Sequence, residues 1–105
     1  MGQPYAPETL TREEVDAASG EVLLDFGTDW CGHCMAARAS VDALVAAHPS
    51  LQHVRVEDGR GRPLGGSFRV KLWPTLVLMR DGVEVARVVR PRGTADIEPL
   101  AVALR

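Results

Sequence analysis

The chain has 105 residues, 46% of them hydrophobic, and a formal net charge of −2. That length suits one compact domain with a single core, which buries roughly two-thirds of the surface an unfolded chain exposes. Nothing in the global charge points to a nucleic-acid or membrane partner, and two cysteines in Cys-x-x-Cys spacing cannot form a stabilising disulfide framework.

The charge is unevenly spread. Residues 1–54 set Arg12 and Arg38 against eight carboxylates, and residues 55–105 set ten basic groups against six acidic ones. Interleaving of the halves in one fold would mix these charges at the surface; a basic face that steers an acidic partner is the alternative. No stretch is long enough to span a bilayer. The start, Met1-Gly2-Gln3-Pro4-Tyr5, lacks a charged region followed by an apolar core, and Ala6 stands where a myristoylation signal wants Ser or Thr. A cytoplasmic protein is the expectation, periplasmic or secreted if a signal has been removed.

Residues 1–10, with Pro4 and Pro7, read as an extended arm. Thr11-Arg12-Glu13-Glu14 has the pattern of a capping box and opens a short helix that stops near Gly20. Residues 21–27 read as a buried strand. An Ala-rich helix runs from about Cys31 to His48 and is ended by Pro49. The alternation His53-Val54-Arg55-Val56-Glu57 predicts a half-buried strand. The Gly-rich residues 58–66 read as loop, passing into a short helix around Ser67-Phe68-Arg69. Leu76-Val77-Leu78-Met79 is a strand, Asp81-Gly82 a hairpin turn, and Val83 to Val89 the antiparallel partner. Ile97, Leu100, Ala101 and Leu104 form the apolar stripe of a terminal helix, whose start Pro99 leaves open. Helical crossovers between the early strands imply parallel pairing, so the pattern describes a small mixed sheet of about four core strands, flanked by helices on both faces.

Both cysteines lie in Asp29-Trp30-Cys31-Gly32-His33-Cys34-Met35, just after the apolar run Val22-Leu23-Leu24-Asp25-Phe26. A strand would thus deliver the pair to a helix N-terminus, where partial positive charge and free N–H groups favour a thiolate. Lowering a thiol pKa from about 8.5 to about 6.5 raises its thiolate fraction at pH 7 from about 3% to roughly three-quarters. Protonated His33 would favour the thiolate further and make the disulfide a better oxidant. Redox chemistry is the leading reading. Two buried structural thiols are one alternative, and metal binding is another. The spare metal ligands would be His48 and His53, neither at ligand spacing with the pair.

Asp25 interrupts the apolar strand six residues before Cys31. A buried, unpaired carboxylate raises its pKa, and such a group could exchange a proton with Cys34, through a water. A solvent-facing Asp at a strand end is the alternative. Trp30 and Trp73 could be core or could border an exposed groove. Pro74 reads from chemistry alone as an ordinary strand-start proline, because few X–Pro bonds are cis. Arg60, Arg62, Arg69 and Lys71 read as a solvated face.

These residues resemble the thioredoxin family over about 21–104. Val22-Leu23-Leu24-Asp25-Phe26 through Trp30-Cys31-Gly32-His33-Cys34 is similar to that family's active-site strand and helix start. Trp73-Pro74-Thr75-Leu76 stands where the family has its cis-proline loop, and Arg80-Asp81-Gly82 with Glu84-Val85-Ala86 is similar to its last hairpin. The resemblance implies a thioredoxin fold as one domain over 1–105. It also implies that Cys31 attacks, Cys34 resolves through a redox-active Cys31–Cys34 disulfide, and Asp25 accepts the proton. Pro74, in cis, would pack over the disulfide while neighbouring backbone pairs with substrate.

The departures matter. Cys-Gly-His-Cys is the tetrapeptide of protein disulfide isomerase sites, whereas reducing thioredoxins usually have Pro in place of His33. Gly27 stands where many members have Trp, Met35 replaces a commonly basic residue, and Trp73 replaces an aliphatic one. Pro91-Arg92-Gly93 disturbs the usual Val-Gly segment, and the family's first strand is expected to be absent or frayed. The expected activity is a thiol–disulfide oxidoreductase. Its catalytic residues are Cys31, Cys34, Asp25 and His33, and its substrate groove is made by Trp30, Gly32, Trp73, Pro74 and Thr75. Partners would be disulfide-containing proteins and a disulfide reductase as electron donor, with the chain a monomer needing no cofactor or metal. The alternatives are an oxidant or isomerase for exported proteins and a non-enzymatic module binding metal through the Cys pair.

Overall fold

The computed structural model describes residues 3–7 and 10–105; residues 1, 2, 8 and 9 of the expected arm lie outside them. Helix α1 (Arg12–Ala17) precedes strand β1 (Glu21–Gly27), helix α2 (Gly32–Ala46), strand β2 (Gln52–Glu57) and helix α3 (Pro63–Ser67). The hairpin of β3 (Thr75–Arg80) and β4 (Val83–Val89) follows, and a 3-10 turn (Thr94–Ile97) leads into helix α4 (Glu98–Ala103). The sheet order is β2-β1-β3-β4, with β1 parallel to β2 and antiparallel to β3, and β3 antiparallel to β4.

Both faces of this sheet are covered, which explains the unbroken apolar run in β1. Leu23, Leu76, Leu78 and Val88 pack on one face with Ala37, Val41 and Leu44 of α2 and with Ile97, Leu100 and Leu104. Val22, Leu24, Phe26, Val77 and Met79 face the other way, against Val15, Leu64 and Phe68. Helix α2 buries Cys34, Ala37, Val41 and Leu44, a stripe at near-helical spacing that lays it along the sheet. It ends at Ala46, short of Pro49.

The capping box is present at α1: Glu14 N–H donates to Thr11 Oγ1 at 3.1 Å and Thr11 N–H to Glu14 Oε1 at 2.9 Å. One sequence expectation needs amendment. The third helix is Pro63–Ser67, inside the segment expected as loop, because Pro63 pre-sets its first turn; Phe68 caps it and Arg69, at φ 58, ends it. The arm is not free: Glu57 N–H donates to the Ala6 carbonyl at 2.7 Å, and Ala6 pairs in parallel with Val56 as an isolated bridge. Among the described residues, this bridge is what stands in the place of a first strand, which was expected absent or frayed. Strand β4 also carries an irregularity at Val85, between the pairs Leu78–Ala86 and Met79–Glu84. The uneven charge resolves as interleaving, since Arg55 pairs with Asp25 and Asp42, and Arg80 with Glu21.

The hairpin turn fixes the β3–β4 register. Asp81 (φ 51) and Gly82 (φ 81) both sit in the left-handed region, as a two-residue hairpin turn demands. A Cβ on Gly82 would also collide with the backbone carbonyl of Asp16. Gly82→Ala should therefore cost more than about 1 kcal/mol in urea unfolding. Gly66→Ala, where a Cβ meets nothing, should be neutral or slightly stabilising. Equal effects from the two would contradict this account of the turn.

Candidate active site

Strand β1 ends at Gly27, and Thr28 to Trp30 carry the chain to the start of α2. Cys31 is the N-cap of that helix, and its Sγ accepts the Cys34 N–H at 3.3 Å. The first thiol therefore takes the place of a capping hydroxyl, facing orphan N–H groups and the positive end of the helix. Cys34, one turn on, is 1% exposed, against 8% for Cys31. Both are free thiols. Gly32 and His33 between them are exposed, as is Met35.

The loop before β3 lies alongside, with Trp73 packed against the cluster of Tyr5, Cys31 and Cys34. The Trp73–Pro74 peptide bond is cis, as the resemblance implied. Thr75 Oγ1 donates to the Leu72 carbonyl at 2.6 Å, so that hydroxyl braces the loop. Arg90 holds the loop twice: its N–H donates to the Pro74 carbonyl at 2.9 Å and its Nε to the Trp73 carbonyl at 2.7 Å. The backbone acceptors of both residues are thus engaged from within the chain. Trp73 Nε1 donates to Asp58 Oδ2 at 2.9 Å, which pins the indole, and Trp30 meets it edge-on at a centroid distance of 5.6 Å. Trp30 is 76% exposed and Trp73 half-buried, so neither ring fills the core.

Asp25 is buried, so the solvent-facing alternative fails, yet it is not the unpaired carboxylate expected. Tyr5 Oη donates to its Oδ1 at 2.6 Å; Arg55 Nε donates to Oδ2 at 3.1 Å, and His53 Nε2 lies 3.2 Å from the same oxygen. Arg55 also donates to Asp42 Oδ1 and to the Gln3 carbonyl, each at 3.0 Å. Tyr5, His53 and Arg55 were not singled out by sequence reasoning, except His53 as a spare metal ligand. The alternation in β2 does place His53 and Arg55 on one face. Among the described residues, no group of three or more His, Cys, Asp or Glu is placed to hold a metal ion, and no helix is long and apolar enough to cross a membrane.

The structure thus holds a cysteine pair at a helix N-terminus, packed with Tyr5 and Trp73, the residue before a cis-proline, and a buried carboxylate bonded to the same Tyr5. The thioredoxin family model matches residues 6–102, and the chain belongs to that family. The thioredoxin of Chlamydia trachomatis is 41% identical over 73 residues, covering 69% of this chain and 71% of that protein. The solved structure of thioredoxin 2 from Pseudomonas aeruginosa, in its reduced form, superimposes with a TM-score of 0.86 at 49% identity, over 99% of this chain and 96% of that one. A protein disulfide-isomerase of Hordeum vulgare is 32% identical over 88 residues, covering 75% of this chain but 17% of that protein. The chain is a thiol–disulfide oxidoreductase on a thioredoxin fold. Members of this family act on disulfide substrates and are reduced by a reductase.

Burial, followed by its hydrogen bond with Cys31, pushes the Cys34 thiol from 9.0 up to about 12. Burial, followed by the charge of Asp25, also pushes the Tyr5 phenol well above its ordinary range. The folded state therefore keeps the Cys34 proton where the unfolded state has lost it, and stability falls as pH rises. Reduced protein should lose stability progressively from about pH 9.0 toward about 12. Cys34→Ala should flatten this slope without abolishing it, since Tyr5 acts in the same direction. Denaturant midpoints measured across that range check the slope; a slope unchanged in Cys34→Ala would refute the assignment.

Proposed function

We propose that the protein reduces disulfides in partner proteins, with Cys31 as the attacking thiolate and Cys34 as the resolving thiol. The observation that carries this reading is the asymmetry of the pair. Cys31 caps α2 at the edge of the groove, while Cys34 is sealed behind it with a strongly raised pKa. In each turnover Cys31 forms a mixed disulfide with one substrate sulfur, releasing the other as thiolate. Cys34 then attacks Cys31 Sγ, and the second substrate thiolate leaves. Asp25 takes the Cys34 proton. Trp30, Gly32, Trp73, Pro74 and Thr75 shape the groove that receives the substrate chain. A monomer in a reducing compartment such as the cytoplasm would suit this reading.

Cys31→Ser should abolish insulin-disulfide reduction, and Cys34→Ser should accumulate mixed disulfides that a reductant releases. Normal turnover in Cys31→Ser would overturn the assignment.

A second reading, as oxidant or isomerase, is favoured by His33, exposed on the first turn of α2 beside Cys31. The two readings separate in an equilibrium redox titration followed by Trp fluorescence and thiol alkylation. A reductase should lie near the thioredoxin potential of about −270 mV, and an isomerase near about −180 mV. His33→Pro should shift the couple to a more reducing potential. An unchanged potential would remove the motive for the second reading.

A further inference from the structure

The arm residue Tyr5 has no assigned part in the chemistry, yet it lies against the reacting sulfurs. Its ring packs with Cys31 and Cys34 as a small buried cluster, with Trp73 alongside. Its hydroxyl donates to Asp25 Oδ1 at 2.6 Å. The missing side chain of Gly27 makes the room. A Cβ there would lie 2.6 Å from Cys34 Sγ, 2.9 Å from Tyr5 Cζ and 3.0 Å from Tyr5 Oη. Those three atoms therefore converge on one small volume. Into the space beside Gly27 the arm brings an aromatic ring that ends in a titratable hydroxyl.

We propose that Tyr5 is the proton relay of the resolving step, its hydroxyl accepting the proton of Cys34 as it passes its own to Asp25. The inference rests on the assignment of Cys31 and Cys34 given above. In the mixed disulfide, the Cys34 S–H bond breaks as its sulfur attacks Cys31 Sγ. The Cys31–Cys34 bond forms, the Cys31–substrate bond breaks, and the substrate sulfur leaves with the electron pair. The Cys34 proton moves to Tyr5 Oη while the phenolic proton moves to Asp25, so Tyr5 ends neutral. The protein dithiol has been oxidised and the substrate disulfide reduced. Asp25 returns the proton along the same path when the protein disulfide is next reduced.

The surroundings suit a group that must stay protonated between turnovers. Burial and the adjacent carboxylate hold the phenol far from ionisation. Arg38 and Arg55 place their guanidinium carbons 5.9 and 5.8 Å from the ring centroid, and Asp29 Oδ1 accepts the Tyr5 backbone N–H at 3.1 Å. His53 on β2 faces Asp25, and Asp42 on α2 faces Arg55. Cys31 and Cys34 complete the shell.

The test is stopped-flow reaction of the reduced protein with the aryl disulfide 5,5′-dithiobis(2-nitrobenzoate). The first thiolate released reports Cys31 attack and depends on reagent concentration; the second reports resolution by Cys34 and does not. Tyr5→Phe should leave the first phase unchanged and slow the second on the order of 100-fold at pH 7. The deficit should close as pH climbs and hydroxide removes the Cys34 proton directly. Asp25→Asn should slow the same phase, and the double variant should be no slower than the slower single variant, because both act on one proton path. Losses that multiply, or a second phase within twofold of wild type in Tyr5→Phe, would overturn the relay.

Tyr5 is the only tyrosine in the chain, so biosynthetic replacement with fluorotyrosine changes this one phenol. In a fully folded protein, such replacement should shift the second phase and spare the first. No shift would refute the proposal even if Tyr5→Phe failed to fold. A first phase that survives Cys31→Ser would instead condemn the underlying assignment of the cysteines.

Discussion

The carboxylate of Asp25 is the constraint around which the active-site half of the molecule is built. It lies inside a strand covered on both faces, where an unpaired charge would cost several kcal/mol. The parallel register of β1 and β2 sets Asp25 opposite Arg55. Arg55 in turn reaches Asp42 on α2 and the Gln3 carbonyl of the arm. One guanidinium thus joins two strands, a helix and an extended segment, with all three of its nitrogens engaged. Replacing either member of such a pair alone leaves an uncompensated charge in the interior, so the elements it joins depend on one another.

The reactive centre inherits its asymmetry from that framework. Asp25 lies on the α2 face of the sheet, as its pairing network shows, so the helix must start close above it. Cys34, on the buried stripe of α2, packs against Tyr5, whose hydroxyl holds the carboxylate, and Cys31 caps the helix. The loop before β3 is held by separate anchors. Asp58 fixes the Trp73 indole and Arg90 fixes the backbone on both sides of the cis bond. Dithiol and groove are therefore positioned by different polar contacts, so the groove can vary, as Trp73 already shows, without disturbing the sulfur chemistry.

Most of this frame was legible in the chain because its signals are local. The apolar run of β1, the cap and Ala-rich stripe of α2, and the Asp81-Gly82 turn each carry their own geometry. The cysteine spacing, with Asp25 upstream and Pro74 downstream, pointed to the site. What escaped is what depends on distance in space. The β2 alternation separates His53 and Arg55 from Val54 and Val56 but does not say which face lies under α2, so Arg55 gave no sign of being Asp25's counter-charge. In the third helix, Pro63 at the first turn outweighed two glycines that argued for loop. Tyr5 was invisible for a further reason: twenty residues separate it from Asp25, and nothing in an arm punctuated by Pro4 and Pro7 signals where it docks.

The arm acquires meaning once Gly27 is considered with it. Among its described residues, the arm's contribution to the sheet is the Ala6–Val56 bridge, a small gain against the entropy of ordering an extended segment. Yet its contacts bracket Tyr5 closely. Gln3 binds Arg55, the Tyr5 amide binds Asp29 just before the Cys pair, and Ala6 binds Glu57 at the end of β2. Bonds to β2 on either side of Tyr5, together with the one from its own amide to Asp29, hold a single aromatic ring beside Gly27, against the buried thiol and bonded to the Asp25 carboxylate. The loss of bulk at Gly27 and the retention of the arm are two sides of one arrangement, in which part of the active-site interior is supplied from outside the sheet.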